Sequence, residues 1–226
     1  MQISEMLVKL WENGIIQRGI WETVYLTFLS AAVGYVIGLP LGVLLYATGK
    51  DGIRPIPWLN SLVGVIVNIF RSIPFVILMV AMLPVAKLTV GTSIGNKALI
   101  VTLVIAAAPY ISRMVESSLK EVDAGVIEAA QAMGTSSMQI ILKVLIPEAK
   151  PSLLVNGVIS VVTILGYSAM GGTIAAGGLG AIATLYGYQR SKPDIIWLCV
   201  VLIILIVQII QELGMFLAHK TDKRIR

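Results

Sequence analysis

Five long apolar stretches dominate the chain: Ile20–Ala47, Trp58–Val85, Ala98–Met114, Leu153–Met170 and Ile195–Leu217. Crossing the hydrocarbon core of a bilayer takes about 20 mostly apolar residues as a helix, because only a helix or a closed barrel satisfies its own backbone donors and acceptors there. The expected fold is therefore an all-α integral membrane protein with five transmembrane helices. Of the residues, 57% are hydrophobic and 13% charged, and the mean hydropathy is +0.91. A soluble domain of ordinary composition is excluded.

An odd number of spans puts the termini on opposite faces, and Lys and Arg in short loops set which face is cytoplasmic. Lys50, Arg54, Arg113, Lys120, Lys143, Lys150, Lys220, Lys223, Arg224 and Arg226 fall on one side. Lys9, Arg18, Lys87, Lys97, Arg190 and Lys192 fall on the other. The bias predicts a cytoplasmic C-terminus and an external N-terminus, in a plasma membrane of bacterial inner-membrane type. Residues 1–19 then form an external segment, 20–217 the membrane domain and 218–226 a basic cytoplasmic tail. Glu5 and Glu12 interrupt any signal-peptide core, whereas Ile3, Met6, Leu7, Leu10 and Trp11 have the spacing of a short amphipathic helix on the membrane surface.

The net charge of +5 is scattered between apolar blocks and makes no stripe for nucleic acid. Cys199 and His219, one of each in the sequence, build neither a disulfide nor a zinc site. No nucleophile beside a base and no catalytic carboxylate pair is present, so the chain reads as a non-enzyme. Arg71 admits two readings. Either it lies deep in the second span, facing a polar cavity or partner, or Pro57–Phe70 is interfacial and Arg71 marks the cytoplasmic edge of a span reaching about Val90. The second is favoured. Gly34, Gly38 and Gly42 share one helix face and permit close helix approach, and Pro40, Pro74, Pro84 and Pro109 predict kinks.

The stretch from Glu121 to Pro151 is too polar to span but strongly helical in pattern. Asp123 is placed to cap a helix through Glu128, Ala129, Ala130 and Met133, with Gly134 at its left-handed end. Ser136 and Gln139 have capping-box spacing, and Met138, Ile141, Leu142 and Leu145 form an apolar stripe that Pro147 is expected to end. The pattern Glu128-Ala129-Ala130, Gly134, Val144, Ile146 and Pro147 resembles the EAA loop of ATP-binding-cassette importer permeases, which usually have Ile and Leu where this chain has Val144 and Ile146. The resemblance implies a type I importer permease fold and a coupling helix seated on a separate ATPase, with Glu128, Ala129, Ala130, Gly134, Met138, Ile141 and Pro147 as coupling residues. The chain is not the engine, since Gly49-Lys50-Asp51 lacks the first glycine and the hydroxyl of a phosphate loop.

Asn68-Ile69-Phe70-Arg71-Ser72-Ile73-Pro74-Phe75, Gly166-Tyr167-Ser168-Ala169-Met170-Gly171-Gly172 and Gly177-Gly178-Leu179-Gly180 are similar to permeases of the methionine-uptake transporter family. That resemblance implies a homodimer of this chain, two ATPase subunits, an external substrate-binding protein and D- or L-methionine as cargo, with no cofactor on the permease and ATP hydrolysed by its partner. Arg71, Tyr167, Ser168 and Met170 are candidates for the translocation pathway, ordinary interhelical packing being the alternative for the last three. The same machinery carrying another amino acid, or an ion-driven secondary transporter, are the rival functions. The latter would need an embedded carboxylate relay, and Glu116 and Glu212 lie near span ends.

Overall fold

A computed structural model describes residues 8–221. Among them there are helices and turns but no strand. Four helices are long and apolar enough to cross a membrane: α1 (Ile15–Thr48), α5 (Gly95–Lys120), the continuous run Ser137–Ile174 and α9 (Pro193–Thr221). A broken pair, α2 (Pro57–Ser72) and α3 (Phe75–Ala81), makes the fifth, followed by α4 (Leu83–Val90). The polar segment between the third and fourth spans holds α6 (Ala124–Ala132) and α7 (Ser137–Ile140), and α8 (Ile146–Ser168) is the fourth span.

The second apolar stretch breaks at Ile73 and Pro74, which are both extended (φ −84°, ψ 125° and φ −55°, ψ 135°). Proline disfavours helix in the residue before it and cannot donate to the turn above. Arg71 accordingly sits in the last turn of α2, exposed. Pro40 and Pro109, by contrast, lie inside unbroken helices.

Pro147 does not end its helix. Residues Ile141–Leu145 form a π turn in which the Ile146 N–H bonds the Ile141 carbonyl five residues back, and the chain then runs on through Pro147 and Pro151. Such a turn is wider than an α turn and shifts the hydrogen-bond register just ahead of the proline that lacks a donor. α7 and the fourth span are thereby one continuous helical run of 38 residues.

Residue contacts divide the chain into two compact units. The first comprises Met1–Ala32, Pro74–Ile105 and Val161–Ile210. Leu26, Met79, Leu99, Leu103 and Ile164 are fully buried there. The second comprises Val33–Ile73, Ala106–Ser160 and Gln211–Arg226, with Leu45, Ile111, Leu119 and Leu145 at its centre. In the second unit Gly42 stands where an added Cβ would lie 2.5 Å from the Ser112 carbonyl oxygen and 2.6 Å from Val115 Cβ. Only a side-chain-free residue lets α1 and α5 approach this closely.

Residues 8–12 are helical ahead of a turn at Gly14. Leu10 is 4% exposed, packed in a cluster with Ile16, Leu179, Ile182, Ile195 and Cys199, so this segment is tied to the protein as well as offering Trp11 outward. Ile3, Met6 and Leu7 lie outside the described residues, as do residues 222–226 of the basic tail, and α9 continues to Thr221. All four tryptophans, Trp11, Trp21, Trp58 and Trp197, are more than half exposed, as expected of aromatic side chains at a bilayer interface. The outer face of α9, with Val201, Ile204, Leu205, Ile209, Leu213 and Phe216 exposed, suits contact with lipid tails.

Candidate functional site: the 121–151 segment and the glycine-rich turn

Asp123 caps α6 as its side chain accepts the Gly125 N–H at 2.8 Å. At the other end the Gly134 N–H bonds the Gln131 carbonyl at 2.9 Å and the Thr135 N–H bonds the Ala130 carbonyl at 3.2 Å. These two bonds define a Schellman cap, which requires the left-handed φ of +75° at Gly134. Nothing lies within 4 Å of where a Cβ would stand there, so the glycine answers to backbone conformation alone. Ser136 begins α7, its N–H donating to Gln139 Oε1 at 3.3 Å.

The apolar stripe of this pair divides in two. Ile127, Ala130, Ile140 and Leu145 are buried, whereas Met133, Met138 and Leu142 are 78%, 64% and 58% exposed. Leu145 thus belongs to the core and not to an outward ridge with Met138 and Leu142, and Ile141 is half-buried. Glu128, Ala129, Gly134 and Pro147 are exposed and Ala130 is not. A cavity of about 530 Å³ opens beside α6, lined by Glu128, Gln131, Glu116, Lys120, Lys50 and Asn60 among others.

In the first unit a polar cluster holds the glycine-rich turn. Glu22, on α1, accepts from Arg18 Nε at 3.0 Å, from Asn96 Nδ2 at 3.3 Å and from the Gly178 N–H at 3.0 Å. Asn96 Oδ1 accepts the Gly177 N–H at 2.7 Å. Thr23 Oγ1 accepts the Leu179 N–H at 2.9 Å while donating to the Gly19 carbonyl at 2.8 Å. Three consecutive backbone donors of a buried turn are therefore met by side chains, where secondary structure supplies no partner. The cluster borders a cavity of about 570 Å³ that Lys97 and Tyr186 also line.

None of Glu22, Thr23 or Asn96 is among the residues singled out from sequence. Glu22 carried a signal, as a carboxylate at the start of the first apolar stretch. Asn96 carried none, since an asparagine beside a glycine reads as a turn. Of the pathway candidates, Tyr167 stacks on Phe75 with ring centroids 4.7 Å apart and planes 6° from parallel. Ser168 is 4% exposed and bonds the Leu165 carbonyl of its own helix at 2.7 Å. Met170 is 42% exposed. No group of His, Cys, Asp or Glu among the described residues is arranged to hold a metal ion.

The profile of the family described as binding-protein-dependent transport system inner membrane component matches residues 38–226. The chain belongs to that family. Its members are transport components and not enzymes, so this is a multi-pass inner-membrane permease. A probable D-methionine transport system permease protein MetI of Vibrio cholerae is 48% identical over 94% of both chains. The D-methionine transport system permease protein MetI of Escherichia coli K12 is 54% identical over 70% of this permease and 73% of that protein. A solved structure of inward-facing conformations of the MetNI methionine ABC transporter matches with a TM-score of 0.90 at 48% identity, covering 92% of this permease and 97% of that chain. An amino acid ABC transporter crystallised with histidines shares the fold, with a TM-score of 0.74 at 19% identity.

Proposed function

We propose that the chain is the permease subunit of an ATP-binding-cassette importer for methionine. It works as a homodimer with two ATPase subunits on the cytoplasmic side and an external binding protein that delivers the solute. The observation that carries the reading is the exposed trio Met133, Met138 and Leu142 on a capped helical pair. Apolar side chains this exposed ahead of the fourth span, Ile146–Ser168, ask for a protein partner, and they lie in the segment that bears the EAA pattern. The 48% identity to the probable D-methionine transport system permease protein of Vibrio cholerae over nearly the whole chain supports the cargo.

In this reading Glu128, Ala129, Ala130, Gly134, Met138, Ile141 and Pro147 form the coupling element. Closure of the ATPase pair biases that element between two positions, and the rod that continues α7 into the fourth span carries the displacement into the membrane. The permease binds no cofactor itself; ATP is hydrolysed by its partner. The C-terminus is cytoplasmic and the N-terminus external, with 1–19 as the external segment and 218–226 as the basic tail. Arg71, Tyr167, Ser168 and Met170 line or gate the route of the solute.

The test is ATP-dependent uptake into proteoliposomes holding this permease, its ATPase and its binding protein, comparing methionine with glutamine and histidine. Uptake of methionine alone is expected. Uptake of another solute would overturn the cargo and keep the machinery, and uptake driven by a proton gradient at constant ATP would overturn both.

A further inference from the structure

Arg113, Glu116 and Lys120 share one face of the last turns of α5. Arg113 Nη1 bonds Glu116 Oε2 at 2.6 Å and Lys120 Nζ bonds Glu116 Oε1 at 2.7 Å. Glu116 is 7% exposed, and a carboxylate so shielded depends on both cations. The guanidinium also reaches across to α2, donating from Nη2 to Asn68 Oδ1 at 3.0 Å and to the Gly64 carbonyl at 3.3 Å. Asn60, Gly64 and Asn68 lie four residues apart on one face of α2, and Asn60 donates to the Leu45 carbonyl at 2.6 Å and to Thr48 Oγ1 at 3.2 Å. The amphipathic helix α2 is thus pinned at one end to α1 and at the other to α5.

α5 ends at Lys120, and only Glu121, Val122 and Asp123 separate it from α6. Glu116 and Lys120 line the same cavity as Glu128 and Gln131 of α6. We propose that Arg113 and Asn68 are positioning residues that transmit displacement of the coupling element to α2, with Glu116 holding the Arg113 fork in register. A planar guanidinium forked between a carboxylate and an amide fixes the angle between two helices as a single point charge cannot. The inference rests on the coupling role assigned above to α6 and α7.

The experiment compares Asn68→Ala, Asn68→Asp and Arg113→Lys in the full transporter, reconstituted with ATPase and binding protein, reading methionine moved per ATP hydrolysed alongside the amount of assembled complex. Arg113→Lys keeps the charge beside Glu116 but loses the fork, and Asn68→Ala removes the side-chain acceptor on α2 while leaving the Gly64 carbonyl. Both are expected to assemble and hydrolyse ATP while the transport-to-hydrolysis ratio falls about three- to tenfold, the scale of the one charge-assisted hydrogen bond to Asn68 at a partly exposed site. Asn68→Asp, which keeps an acceptor for Arg113, is expected to retain the wild-type ratio. An unchanged ratio in Asn68→Ala and Arg113→Lys, with or without loss of assembled complex, would show a purely structural contact and overturn the proposal. Absence of ATP-driven methionine uptake by the wild-type assembly would instead overturn the importer reading, and this inference with it.

Discussion

Glu22 Oε2 accepts the backbone N–H of Gly178 at 3.0 Å across 156 residues of sequence. The same carboxylate takes bonds from Arg18 and Asn96, so one side chain orders the start of the first span and the glycine-rich turn together. Glu22→Ala leaves a buried backbone donor without a partner and is expected to cost about 1–3 kcal/mol, with Glu22→Gln costing less because one acceptor oxygen remains. Thermal unfolding of the purified protein in detergent reads the difference. Equal melting temperatures for wild type and Glu22→Ala would refute the role.

Close approach of α1 and α5 at Gly42 sets up a contrast. Gly42→Val drives its side chain into Val115 and the Ser112 carbonyl and is expected to destabilise by about 1–3 kcal/mol through overpacking. Gly166 is helical and has no atom within 4 Å of an added Cβ. Gly166→Ala should therefore leave stability unchanged or raise it by up to about 1 kcal/mol. Both are measured by the same detergent unfolding assay, and a stable Gly42→Val would argue against the close helix pair.

At Gly134 the cost of a side chain is conformational. Gly134→Val strains the left-handed cap by about 1–2 kcal/mol, whereas Asn tolerates that conformation better. Membrane insertion is expected to be intact in both variants, with ATP-driven uptake strongly reduced in Gly134→Val and largely retained in Gly134→Asn. Full uptake by Gly134→Val would sink the assignment of this bend to coupling.

Met138 and Ile140 separate partner contact from folding. Met138→Asp alters an exposed position and should abolish co-purification with the ATPase while leaving the permease's melting temperature near wild type. Ile140 is 1% exposed, so Ile140→Asp buries a charge in place of a core side chain and should prevent stable folding, a loss of several kcal/mol. If Met138→Asp still co-purified with the ATPase, the exposed trio would not be the docking ridge.

Much of this layout was legible from local patterns. Asp123, Gly134 and Ser136 mark helix ends through bonds made within five residues, so their roles follow from spacing alone. The glycines of α1 announced a close helix partner without naming α5. Pro147 misled because a proline in sequence reads as a stop, whereas a π turn over Ile141–Leu145 absorbs it and carries the helix into the fourth span. Leu145 shared the spacing of Met138 and Leu142, but that wider turn and the burial of the segment's inner face leave Leu145 in the core.

By itself the sequence determined the number of apolar stretches, the caps of α6 and α7 and the EAA pattern, because each depends on side-chain chemistry within a turn or two of the residue concerned. Only the tertiary structure decided which polar side chains meet. The bonds of Glu22 and Asn96 to the 177–178 turn, and of Arg113 to Asn68, join residues 45 to 156 positions apart. No periodicity encodes such pairings; they arise when a polar group, once shielded from water, must find whatever partner the packed helices bring within about 3 Å.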